Sequence, residues 1–117
     1  MNIKEWNKLN KEQRKYICIH RKLDISFIKQ IWNNLDKEQK DYICKYQKLD
    51  INFIKQYWKE LNKEQKNYVC LCQTFPATFV NQVWNSLDKD QKDYIYKHQK
   101  LDVNFINSIL EIELNKY

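Results

Sequence analysis

The side chains of this 117-residue chain best suited to catalysis or metal binding are Cys18, Cys44, Cys70, Cys72, His20 and His98. Thiolates and imidazoles together would serve a zinc site or a nucleophile–base pair. Their spacing argues against both. Cys18, Cys44 and Cys70 recur every 26 residues, which in stacked helices forms a row about 8–10 Å apart, beyond the ~7 Å Cα reach of a disulfide. Cys70-x-Cys72 is not the Cys-x2-Cys pair of a zinc ligand set, and helical residues two apart point in different directions. His20 and His98 hold one position in the first and last segments of that period, too far apart to act together. With no glycine in the chain, phosphate-cradling loops are excluded. The expectation is a non-enzymatic protein with no catalytic residue, no metal ligand and no cofactor.

A second chemistry is stacking on nucleobases, for which aromatics along a basic groove are the usual device. Aromatics make up 15% of the chain. Most belong to three ladders: Trp6, Trp32, Trp58 and Trp84; Tyr16, Tyr42, Tyr68 and Tyr94; Phe27, Phe53, Phe79 and Phe105. Each steps by 26 residues. Recurrence at one position of an apolar stripe is what a core between stacked units requires, and aromatics bury large areas there. All three ladders are therefore expected to form the structural core.

A period in this range is the signature of stacked supersecondary units. In register, the repeats run 6–31, 32–57, 58–83 and 84–109. Asn10, Asp36, Asn62 and Asp88 are each followed three places on by Gln13, Gln39, Gln65 or Gln91, the capping-box arrangement that opens a helix. A second start falls at Asp24, Asp50 and Asp102, after Leu23, Leu49 and Leu101. Phe27, Ile28, Ile31, Trp32 and Leu35 then fall on one helical stripe, so the second helix is expected to run through the tryptophan. Only the third repeat departs, reading Thr74-Phe75-Pro76-Ala77, with Leu71 and Cys72 at positions more polar in the second and fourth. The fold expected is all-α: a solenoid of four 26-residue αα-hairpin repeats forming one domain over 1–117, with a short N-terminal lead-in and a C-terminal cap over 110–117.

The lack of glycine and the single proline, Pro76, exclude a hairpin-rich sheet protein. No apolar run approaches the ~20 residues of a membrane span, so no membrane contact is expected. The N-terminus lacks the apolar core of a signal peptide, making the cytoplasm the expected compartment. Nothing in the pattern specifies an oligomeric state.

Net charge is +6, unevenly spread: residues 6–31 carry seven Lys/Arg against Glu12 and Asp24, whereas the next three repeats sum to +1, +1 and 0. The candidate partner-binding residues are therefore polar positions between the aromatic rungs: Arg14, Lys15, Arg21, Lys22 and Lys29 in the first repeat, and Asn52, Lys55, Thr78, Asn81 and Asn104 in the others. An extended array with a basic end suits a protein partner bearing an acidic patch. The alternative is a nucleic-acid binder working through Arg14, Lys15, Arg21 and Lys22, although such a protein would carry a basic stripe in every repeat. A small, lysine- and asparagine-rich repeat protein would also suit a phage or mobile-element inhibitor or adaptor that occupies a host protein.

Overall fold

The computed structural model describes residues 1–99 and 103–114, though not the side chains of Phe105, Ser108 and Ile112. Among the described residues it is all-helical: α1 (Ile3–Asn7), α2 (Lys11–His20), α3 (Ile25–Ile31), α4 (Lys37–Tyr46), α5 (Ile51–Tyr57), α6 (Lys63–Cys72), α7 (Ala77–Val83), α8 (Lys89–His98) and α9 (Val103–Leu114). These helices pack in neighbouring pairs, as in a helical repeat. Helices α2, α4, α6 and α8 lie against one another in sequence order, while α1 meets α3 and α7 meets α9 on the other side. The extents are 54 × 21 × 21 Å. No described helix is long and apolar enough to cross a membrane.

Local chemistry explains where the longer helices begin. At Asn10 the side-chain oxygen accepts from Gln13 N–H at 2.8 Å, and the Gln13 amide oxygen accepts from Asn10 N–H at 2.9 Å. The same reciprocal pair opens α4, α6 and α8 at Asp36, Asn62 and Asp88. Four donors that a helix start leaves bare are thus partly satisfied from within the turn. The short helices start less uniformly. Asp50 accepts from Phe53 N–H at 2.7 Å, but Asp24 makes no side-chain cap bond. Pro76 opens α7 through its carbonyl, which accepts from Phe79 and Val80. Leu101 and Asp102 lie outside the described residues.

The short helices end sooner than the apolar stripe implies. Helices α3, α5 and α7 each stop before their tryptophan, and Trp32–Asn34, Trp58–Glu60 and Trp84–Ser86 form single 3-10 turns, whereas Trp6 lies within α1. The following leucine N–H closes each turn on the tryptophan carbonyl, at 3.1–3.2 Å. A tighter turn swings the chain into the next capping box, yet Leu35, Leu61 and Leu87 stay buried. At the C-terminal end Leu110 replaces the tryptophan, and α9 continues to Leu114 without a 3-10 turn. The expected cap over 110–117 is thus, as far as Leu114, the end of α9; residues 115–117 lie outside the described residues.

Trp6, Trp32, Trp58 and Trp84 are all buried, as are Phe27, Phe53 and Phe79. They meet edge to face: Trp6 on Phe27, Trp32 on Phe53 and Trp58 on Phe79, with ring centroids 5.9, 5.1 and 5.5 Å apart. Each tryptophan ring also carries a cation from the helix that follows it, Arg14, Lys40, Lys66 and Lys92 in turn, 5.1–5.3 Å from the centroid. The tyrosine ladder departs from the core expectation. Tyr16 is 60% exposed, and Tyr42, Tyr68 and Tyr94 are half-buried at the core's edge. The reason is polar: the Tyr42 and Tyr68 hydroxyls donate to Glu38 and Glu64 at 3.0 and 3.1 Å, on the helices' outer faces. The side chain of Phe105 lies outside the described residues.

Candidate binding surface

The thiols are packing elements. Cys18, Cys44 and Cys70 are unpaired and fully buried where one long helix meets the next. Burial pushes their pKa values up to about 12, so at neutral pH they are protonated and poor nucleophiles. A small side chain lets two helices approach closely, and at this position in the last repeat stands Tyr96, 40% exposed and edge-on to Trp84. Cys72 is exposed, its pKa raised by partial burial. His20 lies against Tyr16, with ring centroids 4.5 Å apart and the planes tilted by 41°, while His98 ends α8. Among the described residues no group of three or more His, Cys, Asp or Glu side chains is placed to hold a metal.

Four lysines at one edge of the array, Lys11, Lys15, Lys37 and Lys63, pair with neighbouring carboxylates. Lys11 pairs with Asp36 at 4.0 Å and Lys63 with Asp88 at 3.8 Å, each reaching the carboxylate that caps the next long helix. In α6 the cap is Asn62, which has no charge, and Lys37 instead reaches Glu64 at 3.4 Å and Asp41 at 3.0 Å. Lys15 pairs with Glu38 at 3.2 Å. That bond raises the Lys15 pKa, while the Tyr42 hydroxyl and Lys15 together lower that of Glu38. Exposed pairs of this kind stabilise little individually. Their consequence here is that this edge offers little uncompensated charge.

This pattern divides the candidate residues among three places. Arg14 is half-buried: its guanidinium covers Trp6 and its Nε donates to the Trp6 carbonyl at 3.2 Å. It and Lys15 are therefore engaged within the fold rather than joined to Arg21 and Lys22 in one basic cluster. Lys29, Asn52, Lys55, Thr78, Asn81 and Asn104 are exposed on α3, α5, α7 and α9. Arg21 and Lys22 lie at the opposite ends of the long helices, in the first loop.

That last place is where an open surface forms. A groove of about 330 Å³ is lined by Ile19, His20, Arg21, Lys22, Tyr46, Gln47 and Lys48. The next, about 320 Å³, is lined by Lys45, Tyr46, Gln47, Lys48, Leu49, Cys72, Gln73 and Thr74. They share Tyr46, Gln47 and Lys48, so they form one continuous rim, and no carboxylate lines either. Among the described residues no ion pair involves Arg21, Lys22 or Lys48. The Tyr46 hydroxyl beside Lys45 raises that lysine's pKa, keeping it charged. Tyr46 itself is 47% exposed. On the loop side a smaller hollow brings in Asp24 and Asp50. At the third repeat the rim changes character, because half-buried Leu71 and exposed Thr74 stand where the second repeat has Lys45 and Lys48, and exposed Cys72 stands where it has Tyr46.

The floor of the rim holds what sequence reasoning missed. Gln47 is 5% exposed. Its amide oxygen accepts from Leu23 N–H at 2.9 Å, and its Nε2 donates to the carbonyls of Cys18 and Arg21 at 2.8 and 2.6 Å. Gln73 does the same to Leu49, Cys44 and Gln47, and Gln99 to Phe75, Cys70 and Gln73. Each glutamine thus satisfies the exposed end of the preceding long helix and the loop behind it, which a glycine cap does in other proteins. The signal was present: three glutamines hold one repeat position, and Arg21 takes it in the first repeat. No family model, curated protein or solved structure matches the chain.

Proposed function

We propose that the chain is a four-repeat solenoid of αα-hairpins, a single cytoplasmic domain, that acts as a non-enzymatic scaffold binding a protein partner through the rim at the ends of its long helices. The observation that carries the reading is the pair of adjoining grooves lined by His20, Arg21, Lys22, Lys45 and Lys48 with no carboxylate, beside an opposite edge where Lys11, Lys15, Lys37 and Lys63 are paired. Complementary potential favours encounter with an acidic surface. Tyr46 and the Leu71–Cys72 stretch add the aromatic and apolar contacts that anchor protein interfaces. Because the rim stands on bonded helix ends, binding would spend little on ordering it. Such a surface suits an inhibitor or adaptor that occupies a host protein, as a phage or mobile element would use.

The same cations would accept a phosphate backbone, which keeps nucleic acid as the second reading. The change from basic to apolar along the rim favours a folded protein over a uniform phosphate track. Affinity capture from lysate with nuclease present separates the two. The expected result is a protein that survives nuclease and falls at least tenfold in the triple variant Arg21→Glu, Lys22→Glu, Lys48→Glu, whose circular dichroism stays unchanged. Loss of all captured protein on nuclease treatment, with salt-dependent oligonucleotide binding by the wild type, would sink the protein reading.

A further inference from the structure

The two rim grooves are one groove repeated. Residues 19–22 and 46–48 line the first; their equivalents 26 places on, 45–48 and 72–74, line the second together with Leu49. Both lie inside the array, where α2 meets α4 and α4 meets α6. Arg21, Lys22 and Lys48 bring exposed cations to the first groove, Lys45 and Lys48 to the second. Tyr46 belongs to both and stands between them, 47% exposed, with the Lys45 ammonium 5.2 Å from its ring centroid.

A ladder of this kind constrains its ligand. The rungs are spaced as packed helices are, about 8–10 Å apart, and each calls for an anionic side chain. Main-chain pairing is not on offer: Leu23 and Leu49 N–H donate to Gln47 and Gln73, whose own amide hydrogens go to carbonyls at the helix ends. Recognition therefore rests on side chains. A strand repeats its side-chain direction every ~7 Å, so two of its acids miss the second groove. An α-helix returns after seven residues, about 10 Å, but its i+3 and i+4 side chains strike the ridge at Tyr46. A polyproline II segment turns every three residues and rises about 9 Å in doing so, which puts residues i and i+3 on one side. Its threefold cross-section also lays the residue beside each acid on the surface, and prolines held this way pack on exposed aromatic rings.

We infer that the rim binds an extended, proline-containing acidic segment of its partner in the polyproline II conformation, with carboxylates i and i+3 in the two grooves and proline against Tyr46. The inference rests on the protein-binding reading above and names the partner's chemistry. Arg21 can take the first carboxylate bidentately, while Lys45 and Lys48 meet the second as point charges. The segment is extended before it binds, so little further order is lost.

Amide NMR titration of the full chain, in reductant and at low salt, tests this with two synthetic peptides of equal composition. Pro-Glu-Pro-Ala-Glu-Pro-Ala carries its glutamates three apart, and Pro-Glu-Glu-Pro-Ala-Pro-Ala carries them side by side; both have blocked ends. The spaced peptide should shift the amides of Arg21, Tyr46 and Lys48 and bind at least tenfold more tightly than its isomer. Tyr46→Ala, at an exposed ring, should weaken it at least tenfold while Tyr46→Phe does not. Equal binding of the two isomers, indifference to Tyr46→Ala, or no shift at millimolar peptide would each overturn the inference. So would a single-stranded oligonucleotide that displaces the spaced peptide at lower concentration. A protein captured from lysate through the rim while both peptides fail would overturn this inference and leave the binding reading standing.

Discussion

Replacing Trp58 by alanine is expected to cost about 3–5 kcal/mol of folding stability, the range for truncating a buried large aromatic. Trp58 is 7% exposed, meets Phe79 edge to face at 5.5 Å and lies under the Lys66 ammonium. Its place in the middle adds a second consequence. Stability in stacked repeats is a sum of unit and nearest-neighbour terms, so a weak central junction lets the two halves unfold apart. Urea unfolding followed by circular dichroism should show a lower midpoint and a shallower or divided transition. If the variant kept its midpoint and lost only partner binding, the ladder would be a recognition feature rather than a spine.

Gln73→Leu should be comparably damaging although leucine is the more hydrophobic residue. The substitution leaves Leu49 N–H and the carbonyls of Cys44 and Gln47 without their partner. Each buried polar group so orphaned costs about 1–3 kcal/mol, which places the loss at about 3 kcal/mol or more. Gln73→Glu gives the same claim a pH signature. A carboxyl there can still accept from Leu49 N–H, but once ionised it cannot donate to the two carbonyls. Its folded pKa must then lie above the unfolded value of about 4.3. The stability it contributes is fully present below that unfolded value and is lost as pH rises through the folded one. The deficit of Gln73→Glu against wild type, measured by urea unfolding, should therefore be smaller in acid than at neutral pH. A deficit independent of pH would remove Gln73 from its bridging role.

What could be read from the sequence followed from how local each cause is. Helix starts were legible because Asn10 with Gln13, and its three equivalents, complete their chemistry within one turn. The buried tryptophans and phenylalanines were legible from period and apolarity. Tyr16 misled, since a ring on a recurring stripe can sit at the core's edge when its hydroxyl seeks water or, as in Tyr42, a carboxylate. The 3-10 turns at the tryptophans were not legible, because apolar spacing does not distinguish a helix from its tighter ending. The binding surface was the least legible part. Arg14, Lys15, Arg21 and Lys22 look like one cluster in the chain, but what engages the first two is the Trp6 ring and carbonyl for one and Glu38 of the next repeat for the other. Likewise Lys48 and Tyr46 join Arg21 only because Gln47 draws the second repeat onto the first.

The claim beneath the stability predictions and the binding proposal is that the glutamines stitch successive repeats into one rigid surface. Native-state hydrogen exchange of the wild-type chain tests it directly, at the amides of Leu23, Leu49 and Phe75. All three lie between helices, where amides commonly exchange quickly, yet each donates to a glutamine of the next repeat at 2.9–3.0 Å. The account predicts that they exchange about as slowly as the interior of the long helices, with Leu49 in the middle protected most. Exchange at the rate of open loops would show that the repeats are not joined there, and would contradict it.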